Sequence, residues 1–292
     1  MARKPKKRNG AFKKFRALLK CRARNFYIGP GGAVCAAKLH AGGGRFGRGA
    51  QSPFAFFGAF FSGGYGKIGQ EISHPCVRGR VFVHQQELKT PGRVLDGRGI
   101  IHPGWAARPV QVYRRADIKA SPLRIKEWDF YQVSDREKCL QFTFGHASYA
   151  GQAGIMLFDF RNGKMIADIN KIIPFPFGRL HLPESAETDS DITYDKQGVH
   201  LRFKTEGSTR FLSFSAPDFE ANITLERTMP FSAVVQTPFR ESPRMFYYNQ
   251  KINCMTARGR AVYKGQAYTF GEDAFGLLDW GRGVWPYHNE WY

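Results

Sequence analysis

From about residue 110 onward the chain is a succession of short β-type runs, each closed by turn residues, and this most limits what it can fold into. The runs are Val110–Tyr113, Trp128–Val133, Cys139–Phe144, Ile155–Phe160, Lys164–Ile169, Val199–Phe203, Arg210–Phe214, Asn222–Glu226, Arg260–Tyr263 and Gln266–Phe270. Several alternate apolar and polar residues as half-buried strands do: in Leu201-Arg-Phe203-Lys the apolar side chains share one face and the charges the other. Asn162-Gly163 is a hairpin signal, because both central residues of a type I′ turn need positive φ, and Lys264-Gly265 predicts a second hairpin. Helical periodicity is weak; the best candidate is one or two turns after Ser121-Pro122, with Ser as cap and Pro at the first helical position. Strands every ~8–12 residues predict an antiparallel sandwich or barrel.

Charge divides the chain. Residues 1–70 hold fifteen Lys and Arg and no Asp or Glu, so most of the formal +20 lies there, together with fourteen of the 32 glycines. Such a segment cannot bury enough apolar surface to offset its ordering entropy, so residues 1–70 read as a disordered basic leader. Arg3–Arg8 and Lys13–Arg16 would attract phosphates, which makes this leader the place for any nucleic-acid binding. The same composition also suits an adventitious stretch with no role. The longest apolar run, Phe54–Phe61, is far short of the ~20 residues a membrane helix needs. Met1–Lys20 has the basic start of a secretory signal, but no apolar core of ~7–15 residues follows it, so it does not resemble one. Five scattered cysteines with no C-x-x-C pair point to reduced thiols in a cytoplasmic protein. The eight histidines are dispersed, without metal-ligand spacing, so neither metal nor cofactor is expected. Nucleophile-elbow and P-loop signatures are missing as well.

The densest chemical constellation is Asp279-Trp280-Gly281-Arg282-Gly283-Val284-Trp285-Pro286-Tyr287-His288-Asn289-Glu290. As a ligand surface it would offer Trp280, Trp285 and Tyr287 to an apolar or sugar ring, Arg282 to an anion, and Asp279 or Glu290 as polar anchors. The plainer reading is a packed strand and corner whose Asp–Arg pair and indole N–H groups satisfy one another. Tyr113-Arg114-Arg115-Ala-Asp117-Ile-Lys119 and Arg124-Ile-Lys126-Glu127-Trp128-Asp129 form weaker clusters. They would line a cavity mouth, with Asp117 or Asp129 as acid or base beside Trp128, or else lie solvated on strand faces. An aromatic run ending at Tyr292 resembles a strand pair caught midway, so the domain is expected to lack its own last strands.

Between His84 and Tyr292 the order of motifs resembles the bacterial family catalogued as domain of unknown function 2804. The carrying residues are His84-Gln-Gln-Glu-Leu88, Val94-Leu-Asp96, His102-Pro-Gly-Trp-Ala106, Tyr113–Asp129, Tyr248–Asn253 and Phe275–Tyr287. Members continue beyond the Trp-Pro-Tyr motif, and residues 1–70 match nothing in them. A remoter architectural likeness is to calycin-type proteins related to hydroxyneurosporene synthase. The resemblance implies two β lobes, barrel- or sandwich-like, the second incomplete, and brings no established activity. The expected function is the binding of a hydrophobic or amphipathic small molecule in a β cavity. The alternatives are a carboxylate-dependent hydratase, isomerase or carbohydrate-acting enzyme, and nucleic-acid binding through the leader.

Overall fold

The structure, a computed structural model, describes residues 86–287. The basic leader and Glu290 lie outside those residues. Fifteen strands are present: β1 (Gly92–Arg93), β2 (Gly104–Ala106), β3 (Gln111–Val112), β4 (Ile125–Ser134), β5 (Lys138–Ala147), β6 (Ala150–Asp159), β7 (Lys164–Pro174), β8 (Ser190–Lys196), β9 (Val199–Glu206), β10 (Thr209–Ala216), β11 (Phe219–Glu226), β12 (Ala233–Pro238), β13 (Phe246–Tyr263), β14 (Gln266–Phe270) and β15 (Phe275–Val284). Two single-turn 3-10 helices, Arg115–Asp117 and Pro122–Arg124, precede β4. In the second, Ser121 Oγ accepts from the Leu123 N–H and Pro122 takes the first helical position, as its sequence predicts. No helix among the described residues is long and apolar enough to cross a membrane.

Thirteen strands form one antiparallel sheet in the order β7-β6-β5-β4-β15-β13-β11-β10-β9-β8, with β12 and β14 also paired to β13 and β2 paired to β12. The sheet curls into a half-barrel, so residues from distant strands meet across its interior. Phe203 of β9 packs edge-on against Tyr131 of β4 at 5.0 Å and Phe142 of β5 at 6.2 Å, and Tyr194 of β8 lies 5.9 Å from Phe144. Its two ends approach each other, since the Gln197 side chain beyond β8 donates to the Ile172 carbonyl of β7. Along β9, β10 and β11 burial alternates residue by residue, which is the pattern read from Leu201–Lys204. In β4, β5 and β6 both faces are buried almost throughout.

Hairpins join most neighbours. Lys264 and Gly265 both have positive φ, as a type I′ turn requires, and so do Gln197 and Gly198. At Asn162-Gly163 the hairpin is present, but only Gly163 has positive φ and the loop spans Phe160–Gly163.

β13 is eighteen residues long and stays on the core because of one extra residue. Its register with β15 shifts between Ile252 and Met255, where Cys254 has φ 57°. Before this bulge the even-numbered residues Phe246, Tyr248, Gln250 and Ile252 point inward; after it the odd-numbered Met255, Ala257 and Ala261 do. A second register device sits on the opposite face of the sheet. Trp128 of β4 lies directly opposite Gly281 of β15 and Gly145 of β5, and its indole covers Gly281 so closely that a Cβ there would stand 2.0 Å from Cζ2. Glycine is the residue type that admits the ring at that register.

Candidate functional site

The sheet register gathers polar side chains into a belt on the inner face. Gln236 of β12, Tyr248 of β13, Arg282 of β15, Glu127 of β4 and His146 of β5 are successive cross-strand partners at one level of the half-barrel. The next level holds Val234, Gln250, Trp280, Asp129 and Phe144, and the one after is apolar, with Ile252, Leu278, Tyr131 and Phe142. The interior thus grades from charged to oily along its length. All five belt residues are buried.

Glu127 is the hub of one half. It forms an ion pair with Arg115, accepts from the Tyr113 hydroxyl at 3.1 Å, and accepts from His146 Nε2 at 3.0 Å. Burial, with Arg115 and Arg282 nearby, pushes the His146 imidazole down to about 3, so it is neutral at physiological pH. Its proton therefore sits on Nε2, and Nδ1 accepts from the Ser148 N–H at 3.3 Å. Glu127–His146 is accordingly a hydrogen bond from a neutral ring to a carboxylate. Burial also raises Tyr113 to about 12, so its hydroxyl stays a donor.

Arg282 is the hub of the other half. Its guanidinium donates to Asp129 at 2.9 Å, to the Trp128 and Gly281 carbonyls at 2.8 Å and to the Pro183 carbonyl at 2.7 Å. It lies 4.0 Å from the centroid of the Trp280 ring, a cation–π contact between two buried side chains. Tyr113 and Tyr248 meet Trp280 edge-on at 6.0 and 5.4 Å, completing an aromatic wall. Burial raises the Asp129 carboxyl above its usual range, while Arg282 and then Arg210 pull it down. Arg210, on β10, donates to the Ala186 carbonyl at 2.8 Å. Trp280 Nε1, Gln236 Oε1 and the Nε atoms of Arg282 and Arg210 are buried and have no hydrogen-bond partner among the described residues.

Strand alternation splits the constellation read from residues 279–290. Trp280 and Arg282 face the interior with Asp129; Asp279, Trp128 and Trp285 face the other side. The expected pairing of Asp279 with Arg282 does not form, because neighbours along a strand point to opposite faces. Asp279 instead pairs with Lys251 and accepts from Asn249 at 2.6 Å and Trp128 Nε1 at 3.3 Å. Trp285 packs edge-on against Trp128 at 5.5 Å and Tyr247 at 5.6 Å, with Lys126 Nζ 4.5 Å from its centroid. Tyr287 is the last described residue and is exposed. Asp117 lies apart, paired with Arg93 at 2.8 Å. Glu127 and Arg115 fall within the weaker sequence clusters and Tyr248 within a motif of the family resemblance, whereas His146, Gln236 and Arg210 carry no local signal of a site.

An open groove of about 540 Å³ lies on the outer face of β9, β10, β11 and β13, lined by Arg202, Lys204, Phe211, Asn222 and Arg258. Arg202 is already paired with Asp191 and Lys204 with Glu206, so it lacks the convergence of the inner belt. No group of three His, Cys, Asp or Glu side chains among the described residues is placed to hold a metal.

The model of a family described as a domain of unknown function, DUF2804, matches residues 85–292. The chain belongs to this family. No curated protein matches it. Among solved structures, the DUF2804 chain is similar to CghA, determined alone and with Sch210972, at 14% and 15% identity and TM-scores of 0.40 and 0.41. Both alignments cover 56% of this chain and 47% of CghA. An AttH-type protein from Nitrosomonas europaea is similar at 16% identity and a TM-score of 0.42, over 62% of this chain and 58% of that one. The chain therefore spans about half the length of the solved structures it matches.

Proposed function

We propose that this DUF2804 domain binds an amphipathic small molecule, with its polar end at the belt and its apolar part along the Ile252–Leu278–Tyr131–Phe142 level. The observation that carries the reading is the set of buried polar atoms left without a partner: Trp280 Nε1, Gln236 Oε1 and Arg282 Nε. Buried ion pairs add little net stability over a well-packed apolar interior, so a belt of them is more economically explained by a ligand than by folding. Trp280, Arg282 and Asp129 are the proposed contacts carried over from the sequence; Gln236 and Tyr248 join them. Asp279, Trp128 and Trp285 support the belt from behind the sheet.

The test is mass spectrometry of organic extracts from the purified full chain and from Gln236→Leu. The wild type should yield one small molecule at a near-stoichiometric ratio, and the variant much less. Extracts that are equally empty, from protein also exposed to a total lipid and metabolite extract, would overturn the reading.

A second reading, proton-transfer catalysis on that ligand, is favoured by one feature: Glu127 accepts from both Tyr113 and His146, joining three ionisable side chains in one hydrogen-bonded chain. Recovery of two isomers, or of hydrated and dehydrated forms, from wild type but a single form from His146→Gln would support it.

A further inference from the structure

The interior carries more positive than negative charge. Arg115 is answered by Glu127, but Asp129 alone stands between Arg282 and Arg210, and both of these arginines are fully buried. A buried guanidinium without a counter-charge is costly and must at least be hydrogen-bonded. Here the shortfall is met by backbone oxygens from the connection between β7 and β8: Pro183 O accepts from Arg282 and Ala186 O from Arg210. Dipolar carbonyls supply acceptors without supplying the missing negative charge.

The same connection packs Ala186 into the core and Leu180 and Leu182 against it, is held by polar tethers, and runs through an unfavourable backbone. Glu184 accepts from the Arg115 N–H at 2.7 Å, and Glu187 from Arg227 at 2.8 Å and Gln250 at 2.7 Å. Ahead of these tethers Phe175, Phe177 and His181 have φ of 48°, 44° and 50°, a region that side-chain-bearing residues seldom occupy. Phe175 and Phe177 stack on each other at 5.8 Å and are both about 40% exposed.

We propose that the half-barrel selects an anionic head group, a carboxylate on an apolar tail, whose oxygens replace the Pro183 and Ala186 carbonyls on Arg282 and Arg210. This rests on the ligand-binding reading above and adds the charge of the ligand and its point of entry. A carboxylate matches the planar forks of both guanidinium groups and brings the absent negative charge. Its arrival frees residues 175–187 from the interior and lets the strained backbone relax.

The experiment uses the full chain with dodecanoate, dodecanol and dodecylammonium below their micellar concentrations. Thermal unfolding and amide hydrogen exchange across 175–187 are read together. Dodecanoate at about a hundredfold excess over its Kd should raise Tm by about 5–10 °C, and exchange in 175–187 should quicken at least tenfold. The alcohol and the ammonium should do neither. A Tm rise with dodecanol equal to that with dodecanoate would overturn anion selection and leave the binding reading standing. Stabilisation by dodecanoate with slower exchange in 175–187 would overturn the displacement. No response to any of the three overturns the proposal and the binding of such chains together. Arg210→Gln should abolish the dodecanoate shift; should that variant fail to fold, the wild-type exchange data decide alone.

Discussion

Gly281→Ala is the sharpest perturbation of this fold, because its steric consequence is known in ångströms. A Cβ at residue 281 would stand 2.0 Å from Trp128 Cζ2 and 2.2 Å from Cε2, where ordinary contact begins near 3.4 Å. The indole must therefore move by more than an ångström. It is held by the bond from Nε1 to Asp279, by the edge of Trp285 at 5.5 Å and by stacking with Tyr247 at 6.3 Å. Over-packing a well-filled site costs about 1–3 kcal/mol, and this one belongs at the upper end. For a domain of this size that lowers Tm by about 6–12 °C. Calorimetry on Gly281→Ala, Trp128→Leu and the double variant measures it. The double variant should lose at least about 1 kcal/mol less than the sum of the singles, since the smaller side chain admits the methyl group. Gly97→Ala, which meets no atom within 4 Å, is the control and should melt within about 0.5 kcal/mol of wild type. Strict additivity, or a Gly281→Ala variant that melts with the wild type, would refute the register that places Trp128 over Gly281.

Other consequences follow from the belt. His146 is neutral when folded down to about pH 3 but takes up a proton near 6.5 when unfolded, so the unfolded chain binds more protons between those values. Stability should therefore fall as pH drops from about 6.5 toward 3, and His146→Gln should flatten that slope by up to about 1.4 kcal/mol per pH unit in denaturant titrations; an unchanged slope would count against the neutral imidazole. Arg282→Met strands Asp129 in the interior and should cost about 3–5 kcal/mol by chemical denaturation. Asp129→Leu combined with Arg282→Met should recover a large part of that loss, and a double variant as unstable as Arg282→Met would contradict the pairing.

The β class and most strand positions could be read from the sequence because one face of each strand is apolar: Val199–Phe203 and Arg210–Phe214 fall within β9 and β10. β13 was seen only as Arg260–Tyr263, since the bulge at Cys254 reverses which residues point inward and breaks the two-residue period. Half of the candidate site is legible. Asp129, Trp280 and Arg282 stood out as a carboxylate, an indole and a guanidinium in dense motifs, and the fold brings all three to one interior wall. Asp279 and Trp285 stood beside them in the sequence and lie behind the sheet, because strand neighbours alternate and sequence density ignores face. Gln236, Tyr248 and His146 each contribute one residue from a different strand, so their convergence exists only in the register. Arg210 read as one more strand charge because nothing local marks it as facing inward.

The central claim, that the inner belt and not the aromatic cluster behind the sheet receives the ligand, is tested most directly by the indole N–H resonances of 15N-labelled full chain. Trp280→Phe assigns the Trp280 peak and Trp128→Phe that of Trp128. On titration with dodecanoate, the Trp280 indole should shift downfield as its unpartnered Nε1 gains an acceptor, while the Trp128 indole, already bonded to Asp279, should hold its position. Movement of Trp128 with Trp280 unmoved would contradict the account.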